Sequence, residues 1–331
     1  MLLLGIDIGG TSVKGVLAGT IVDASYGARP QSGALVTIAT ARSSPYGRPS
    51  PTQLSGAVAE VISHLHKQSA LGIGPPPRSF VEQLSAGTVR LGLCAPGLID
   101  PQSGAVSRCI NIPALEGANI LDVVREGICR GLGPACKIEA ASLTLPHTLI
   151  SDAQATAIDW HHQHPTEQQG RTVCIVLGTG VGAAVLDAGV PVVITGRSAG
   201  HIGQMDVTLD DGGTAPIGPD GGAGSLEAYI GVPALVTRYG PDLQRAVLAW
   251  TESEPPVRAL VRSIRIVTAI YRPQRIVLLG GVAMLLAPHL RIIDAATRTN
   301  LTSLAQVGWK LLMADDDLHA ARGAARAARL N

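Results

Sequence analysis

The sequence has little cysteine, no excess of either charge and no long apolar run, and each of these shortages argues against a class of protein. Its five cysteines are scattered and odd in number, which favours reduced thiols in a cytoplasmic protein over a disulfide framework. The 26 basic and 25 acidic side chains form no charge excess typical of nucleic-acid or acidic-membrane binding. No apolar run reaches the roughly 18 residues of a membrane span, and the first residues do not predict a signal peptide.

The remaining composition is that of a folded globular protein. Hydrophobic residues make up 46% and charged residues 15% of the chain, a balance that supports a buried core and argues against disorder. The 331 residues exceed the usual size of a single core, so the length predicts two domains.

The stretch from residue 4 to residue 18 predicts a β-hairpin with a ligand-binding turn. Two apolar segments flank a turn that consists of Gly9, Gly10 and Thr11. Glycines leave the backbone N–H groups of such a turn open to a ligand. Asp7 is the one carboxylate of this run, and burying it is costly unless a cation, a metal or strong donors meet it.

A polyphosphate with Mg²⁺ would meet both needs of this turn. Asp7 would face the hydrated metal, and Thr11 and the glycine N–H groups would face phosphate oxygens. Lys14, one of only four lysines, is a further candidate phosphate partner. The alternative is an ordinary hairpin turn with a capping Asp7.

Two further glycine turns occur far along the chain. The second, between two more apolar segments, consists of Gly178, Thr179 and Gly180. The third, after the apolar run at residues 275–279 and at the start of a predicted helix, consists of Gly280 and Gly281. A single glycine turn is weak evidence for nucleotide binding, whereas three in this order favour it.

With these three turns the chain resembles the actin-like ATPase superfamily and, within it, the ROK family of sugar kinases and repressors. The resemblance implies a two-domain α/β fold of the ribonuclease H-like type, with ATP and Mg²⁺ in the cleft between the domains. It implies a small N-terminal domain at residues 1–139, closed by a carboxy-terminal helix at residues 314–331, and a larger domain at residues 140–313. Two of the glycine turns would bind phosphates, and the third would bind the adenosine.

A fourth motif carries the implied chemistry. Residues 151–154 are Ser-Asp-Ala-Gln and resemble the family's Asn-Asp-Ala-Asn segment. The resemblance implies that Asp152 is the general base, and that Asp7 and Asp152 face Mg²⁺, partly through water. A carboxylate at a helix start can take the proton of a hydroxyl that attacks the γ-phosphate. The alternative is that Asp152 only caps the helix, where Asp is common.

The segments that resemble the family's sugar-binding parts match less well. The residues in corresponding places are Gly97, Asn111, Ser151, Asp152 and Glu227. His201 and Gln204 stand where the family carries Glu and His, so the identity of the sugar stays open. The family's three zinc cysteines are missing from residues 206–224, which predicts no zinc site, because a structural site needs four ligands.

Hydrophobic periodicity and turn residues predict the remaining elements. A strand is expected at residues 34–40 and a helix from about residue 51. Further helices are expected between residues 226 and 271, a single helix at residues 284–296 and a last strand at residues 309–313. The Ala- and Arg-rich end at residues 318–330 is expected to be a helix that, as in the family, packs on the N-terminal domain.

The expected function is ATP-dependent phosphorylation of a hydroxyl, taken as the 6-hydroxyl, of a hexose or sugar derivative. One alternative is a sugar- or nucleotide-binding relative without turnover, motivated by His201 and Gln204. The other is a ROK-type transcriptional regulator, which is less favoured because the family's regulators carry a helix-turn-helix domain before the first phosphate turn. The expected partner is a small-molecule sugar, with no nucleic acid and no membrane, and the resemblance is compatible with a homodimer.

Overall fold

The computed structural model describes residues 1–20, 35–70, 79–135, 139–143, 145–194, 200–314 and 316–329. Residue 34 of the predicted first-domain strand and residue 330 of the predicted last helix lie outside these ranges. Of the helices within them, none has both the length and the apolar character that a bilayer-spanning segment requires.

The chain divides into two compact units. The first is formed by Met1–Asp159 with Leu318–Asn331, and the second by Trp160–Asp317. The sequence placed the boundaries after residues 139 and 313 instead. The first boundary lies later in the chain because residues 147–150 form a strand that pairs within the sheet of the first unit.

The secondary-structure elements are as follows. The strands are β1 (Leu2–Ile8), β2 (Val13–Thr20), β3 (Leu35–Arg42), β4 (Val89–Cys94), β5 (Leu98–Ile99), β6 (Val106–Arg108), β7 (His147–Ile150), β8 (Arg171–Leu177), β9 (Val181–Asp187), β10 (Val190–Pro191), β11 (Arg275–Leu279) and β12 (Lys310–Met313). The α-helices are α1 (Pro51–Ala70), α2 (Phe80–Ser85), α3 (Ile120–Leu132), α4 (Asp152–Gln163), α5 (Leu226–Ile230), α6 (Val232–Tyr239), α7 (Leu243–Val247), α8 (Pro255–Tyr271), α9 (Gly281–Leu285), α10 (Leu290–Thr299) and α11 (His319–Arg329).

Each unit is built on a five-stranded sheet, and the two sheets have the same strand arrangement. The order is β3-β2-β1-β4-β7 in the first unit and β10-β9-β8-β11-β12 in the second. In each sheet an antiparallel hairpin comes first. A later strand pairs in parallel with the first strand of the hairpin, and a further strand pairs in parallel with that one. The carboxyl ends of three parallel strands therefore share one edge in each unit, which is where ligands bind in open α/β sheets.

The three predicted glycine turns are confirmed as structural features. The first joins β1 to β2 and the second joins β8 to β9, both as antiparallel hairpins. The third follows β11, and Gly281 is the first residue of α9.

Helix α11 lies directly on the backbone of the first sheet. A Cβ at Gly5 of β1 would overlap the carbonyl oxygen of Ala321, and one at Gly92 of β4 would overlap that of Ala324. The other face of this sheet forms the larger core with α1 and α3. The prediction that the last helix packs on the N-terminal part of the chain is therefore confirmed.

One predicted helix is wrong in its extent. The single helix expected at residues 284–296 is two helices, α9 and α10, separated by a 3-10 turn at Ala287–His289. Pro288 causes the break, because proline has no N–H to donate and its ring crowds the preceding helical turn. The turn is then fixed by His289, whose Nε2 lies 2.8 Å from the carbonyl oxygen of Val247.

Candidate active site

The carboxyl end of β1 places Asp7 among groups that can stabilise a buried carboxylate. In the sheet register Asp7 lies opposite Lys14 of β2 and Cys94 of β4. Its side chain is almost fully buried, with Oδ2 3.7 Å from Lys14 Nζ. Its Oδ1 lies 3.5 Å from the Cys94 thiol. The charge of Asp7 thus meets a cation and a thiol donor, as burial of a carboxylate requires.

Asp152 reaches the same edge from the neighbouring strand. Cys94 pairs with Ile150 at the end of β7, and α4 begins at Asp152. Ser151 supplies the cap of this helix: its Oγ accepts a hydrogen bond from the Gln154 N–H at 3.2 Å. Asp152 Oδ1 accepts from the N–H of the adjacent Ala153 at 2.7 Å. Because Ser151 provides the cap, the capping alternative does not account for Asp152.

The electrostatics of this edge favour a carboxyl that can accept a proton. Burial raises the pKa of Asp152 to about 6, and the negative charge of Asp7 adds to the rise. Burial and then the charges of Asp7 and Asp152 raise the pKa of the Cys94 thiol, which therefore stays protonated. A carboxyl with a pKa near 6 is ionised at neutral pH and is still basic enough for general-base work.

The first glycine turn is held by a segment that sequence reasoning missed. The Tyr46 hydroxyl donates to the Gly9 carbonyl oxygen at 2.7 Å, and the Tyr46 N–H donates to the Thr11 carbonyl oxygen at 2.8 Å. Burial and the charge of Asp7 raise the pKa of Tyr46, so its hydroxyl remains a donor. Thr11 itself is exposed and Gly10 is half-buried, so the outer side of the turn remains accessible. No local pattern marks Tyr46, because 37 residues separate it from Gly9.

In the second unit, Glu227 supports the second glycine turn. Its Oε2 accepts from the Val181 N–H at 2.7 Å, and a Cβ at Gly180 would come within 2.8 Å of that oxygen. The Val232 N–H donates to the carbonyl oxygen of Gly178 at 3.1 Å. The residue expected to bind sugar therefore also braces the turn at Thr179 through its own carboxylate.

The third glycine turn lies beside the second. Leu279 at the end of β11 pairs with Val176 near the end of β8. Gly280 has φ +91, and a Cβ there would overlap the carbonyl oxygen of Leu177, so both conformation and space require glycine. A Cβ at Gly281 would have no atom within 4 Å. The two turns thus form one glycine-lined edge of the second sheet.

His201 and Gln204 lie next to this edge. His201 directly precedes the 3-10 turn at Ile202–Gln204, Gln204 is its last residue, and both side chains are exposed. A Cβ at Gly203 would overlap the carbonyl oxygen of Val181, so this turn packs on the residue whose N–H binds Glu227. Ser225, which stands where the resembling family has cysteine, caps α5 by accepting from the Ala228 N–H at 3.2 Å.

Gly97 and Asn111 lie beyond the carboxyl end of β4, on neighbouring loops of the first unit. A Cβ at Gly97 would overlap the carbonyl oxygen of Arg108. The thiol of Cys109 lies 3.4 Å from the carbonyl oxygen of Pro96. These contacts join the turn at Gly97 to the segment that carries Asn111.

The donor set at Asp7 and Asp152 fits Mg²⁺. Magnesium in phosphate-binding sites takes one or two carboxylates and completes its shell with phosphate oxygens and water. Within the described ranges, no group of three or more His, Cys, Asp or Glu could hold a metal by itself. The charge of Asp7 still raises the pKa of Asp152 although Lys14 opposes it, so further positive charge would be stabilising here.

The chain is similar to proteins of one known family. The sequence pattern of the ROK family matches residues 78–329, whereas none of the curated proteins matches the chain. A ROK hexokinase from Thermus thermophilus is 21% identical, with 100% of this chain and 98% of that chain covered and a TM-score of 0.62. A ROK family glucokinase from Streptomyces griseus, solved with glucose and AMPPNP, is 18% identical, with both chains fully covered (100%) and a TM-score of 0.68.

The similar structures also include a regulator. A ROK family transcriptional regulator, a homolog of the E. coli MLC protein, is 16% identical, with 99% of this chain and 78% of that chain covered and a TM-score of 0.59. At these identities the likeness is one of fold. It confirms the two-domain α/β fold that the family resemblance implied.

Proposed function

The chain belongs to the ROK family, and we propose that it is an ATP-dependent kinase for a hydroxyl group of a sugar or sugar derivative. The observation that carries the proposal is the state of Asp152. Its pKa is raised to about 6 by burial and by Asp7, and Ser151 relieves it of capping α4. A carboxylate in this state, beside a glycine turn and a second carboxylate, has the properties of a general base for phosphoryl transfer.

The proposed roles in the first unit follow from the contacts of its residues. Asp152 would take the proton of the attacking sugar hydroxyl, with the 6-hydroxyl of a hexose as the expected acceptor. Asp7 and Asp152 would hold Mg²⁺, partly through water; when bound, the metal supplies positive charge for the phosphoryl group in transfer. The Gly10 N–H, the Thr11 hydroxyl and Lys14 would donate to phosphate oxygens. Gly9 would contribute by its shape, because its own N–H donates to the Ser12 carbonyl oxygen at 3.0 Å.

In the second unit the proposed roles are divided between the two adjacent glycine turns. The Gly178 N–H donates to the Gly180 carbonyl oxygen at 2.9 Å and closes the second turn. The N–H groups of Thr179 and Gly180 would therefore bind phosphate, and Gly280 and Gly281 would approach the adenosine. Both proposals are supported by the lack of side chains at this edge of the sheet, which lets a ligand reach the backbone closely.

The proposed sugar contacts are the residues that the family resemblance implied. The residues are Gly97, Asn111 and Ser151 with Asp152 in the first unit, and His201, Gln204 and Glu227 in the second. His201 and Gln204 offer hydrogen bonds without negative charge, so Glu227 is the one carboxylate in this set apart from the base. His201 and Gln204 can still recognise hydroxyl groups, because amide and imidazole groups can donate and accept.

The proposal is tested with purified protein, ATP, Mg²⁺ and a panel of hexoses, amino sugars and N-acetylated sugars. We expect ADP release that depends on one class of sugar, and phosphorus NMR of the product should show a phosphate ester at the 6-position. Asp152→Asn is the matched control and should bind nucleotide while its turnover falls by at least about a hundredfold. No turnover on the whole panel together with no binding of ATP would refute the proposal.

A second candidate function is ligand binding without turnover. The observation that favours it is the exposed pair His201 and Gln204, which replace a carboxylate and an imidazole of the resembling kinases. Calorimetry would then detect binding of sugar or nucleotide while no ADP forms. A sugar-sensitive shift of a DNA fragment would instead favour regulation, the function named for one of the similar structures.

A further inference from the structure

A buried ion cluster joins α4 to α11 within the first unit. Asp159 of α4 is fully buried. Its Oδ2 lies 2.8 Å from His319 Nδ1 and accepts from Arg322 Nε at 2.7 Å. Its Oδ1 accepts from Arg326 Nε at 2.8 Å. Three side chains of α11 therefore converge on one carboxylate of α4.

The cluster is a fixed electrostatic link. Burial would raise the pKa of Asp159, but the positive charge of Arg322 and the hydrogen bonds from His319, Arg326 and Arg322 outweigh burial and lower it. The carboxylate is thus ionised at neutral pH. Removal of a partner from such a buried group leaves charge uncompensated, which resists separation of the two helices.

The same helices also meet backbone to backbone near the start of α4. A Cβ at Gly323 would overlap the carbonyl oxygen of Ala155. Ala155 lies three residues after Asp152, and its N–H donates to the Ser151 carbonyl oxygen at 2.9 Å. A displacement of α11 at Gly323 therefore reaches the first turn of α4 without passing through flexible side chains.

Helix α11 also touches the two strands that complete the candidate base site. It contacts β1 at Gly5 and β4 at Gly92 through backbone carbonyl groups, and the Cys94 thiol lies 3.6 Å from the Ala320 carbonyl oxygen. The elements that carry Asp7, Cys94 and Asp152 thus rest on one common helix.

We propose that α11 is the positioning element of the candidate active site, and that Asp159, Arg326 and Gly323 are positioning residues that hold Asp152 beside Asp7. The inference rests on the proposed function only for the role of Asp152 as the base. Its physical basis is that a catalytic group displaced by about 1 Å can lose about a hundredfold in rate.

Two variants test this inference, each with a matched control. Gly323→Ala inserts a methyl group against Ala155, whereas Gly56→Ala in α1 adds one whose nearest atom, on Arg130, lies 3.9 Å away. Arg326→Gln removes one of the three partners of Asp159, whereas Arg125→Gln removes an exposed ion pair with Asp122, 2.8 Å long, in the same unit. Because Arg326 is partly exposed, its variant is expected to fold even if Gly323→Ala does not.

Two readouts separate positioning from simple stabilisation. Steady-state kinetics at a temperature well below unfolding should show kcat lowered by about ten- to a hundredfold, with the KM for ATP changed by less than about threefold. Amide hydrogen exchange measured by NMR should become about tenfold faster or more at Gln154 and Ala155. Both control variants should match the parent in both measurements.

The outcomes decide the inference whether or not the protein is a kinase. An unchanged kcat in folded Arg326→Gln would overturn it and leave α11 with a structural role alone. If the parent turns over no sugar, no kcat can be compared, and hydrogen exchange alone decides the inference; the proposed function is then judged separately by the binding of ATP. Faster exchange at residues 154 and 155 would then support the positioning role, and unchanged exchange would overturn it.

Discussion

The two glycine turns that begin the two sheets share a backbone pattern, yet different elements hold them. The turn between β1 and β2 is bound by Tyr46, from the segment after β3, through the carbonyl oxygens of Gly9 and Thr11. The turn between β8 and β9 is bound by Glu227, from a helix, through the N–H of Val181. In one case the support donates to the turn, and in the other it accepts from it.

The side chains next to the turns differ as well. The strand position two residues before the first turn is Asp7, and the equivalent position before the second is Val176. Both positions lie at the carboxyl end of a strand, and the two strands, β1 and β8, occupy equivalent places in their own sheets. The shared topology therefore gives two equivalent glycine turns, which differ in the carboxylates beside them. In the first unit Asp7 and Asp152 lie at the ends of the strands, whereas at the second turn the Glu227 carboxylate is bound to the Val181 N–H.

Of the variants considered, Asp152→Asn should have the largest effect, because it removes the proposed general base of the first unit. The amide keeps the shape of the carboxyl but cannot take the proton, so kcat should fall by about a hundredfold to ten-thousandfold, or roughly 3 to 5 kcal/mol of barrier. The Kd for ADP, measured by calorimetry, should stay within about threefold of the parent. Turnover at the parent rate would remove Asp152 as the base.

The pH dependence of the reaction also tests Asp152 as the general base. Because the pKa of Asp152 is about 6, kcat/KM should fall about tenfold for each pH unit below that value as the base becomes protonated. The free energy of unfolding should change in the opposite direction and fall as the pH rises. A folded-state pKa above the ordinary value of about 4 means that ionisation destabilises the fold as pH rises from 4 to 6.

Comparison of Asp152→Asn with the parent tests this stability effect directly. Denaturant unfolding should show the variant to be the more stable protein at pH 8. The advantage should shrink as the pH falls and vanish near pH 3, where the parent carboxyl is mostly neutral in both the folded and the unfolded state. An advantage that is the same at both pH values would contradict the raised pKa.

Gly280→Ala and Gly281→Ala separate the shape of the third turn from its ligand. Alanine at residue 280 must adopt a positive φ and displace the Leu177 carbonyl group, so unfolding should require about 1 to 3 kcal/mol less. Alanine at residue 281 meets open space in a helix, so stability should hold or rise by up to about 1 kcal/mol. Its methyl group should nevertheless weaken ADP binding, and unchanged affinity would exclude Gly281 from the site.

Glu227→Gln tests the support of the second turn. The amide still accepts from the Val181 N–H but loses the assistance of the charge, which should cost about 1 kcal/mol of stability. We expect the Kd for ADP to rise a few-fold through the loosened turn. A rise confined to the KM for sugar would show instead that Glu227 acts through hydroxyl recognition alone.

Tyr46→Phe tests the support of the first turn and should have the smallest effect. It removes one hydrogen bond, to the Gly9 carbonyl oxygen, at a cost of about 0.5 to 1.5 kcal/mol. The KM for ATP should rise while kcat changes little, because Asp152 is untouched. Tyr239→Phe, which removes a hydroxyl bound to Glu254 in the second unit, is the matched control and should leave the KM for ATP unchanged.

The sequence allowed the glycine turns and the helix that begins at Asp152 to be predicted, because each depends on neighbouring residues. Apolar runs around a glycine turn define a hairpin locally. Helix ends are also local, although the assignment of the cap to Ser151 required the observed hydrogen bond. The break at Pro288 could have been found from the residue itself, since proline rarely continues a helix.

The supports of the site could not be predicted in the same way. Tyr46 contacts a residue 37 positions away, and Asp159 contacts partners 160 or more positions away. Neither pairing leaves a periodic pattern, because it depends on how separate elements pack. The repeated sheet topology was missed for the same reason: its parallel pairs, such as β1 with β4, join distant segments.

The position of α11 has a consequence for the order in which the protein forms. Leu3, Val16 and Ala18 of the first hairpin are buried against Ala321, Ala325 and Ala328 of α11. During synthesis the ribosome makes the hairpin first and its cover more than 300 residues later. One apolar face of the first sheet therefore stays exposed until the whole second unit has been synthesised. Contacts between residues so far apart in the sequence also form slowly. The nascent chain is most exposed to aggregation and to chaperone binding in this interval.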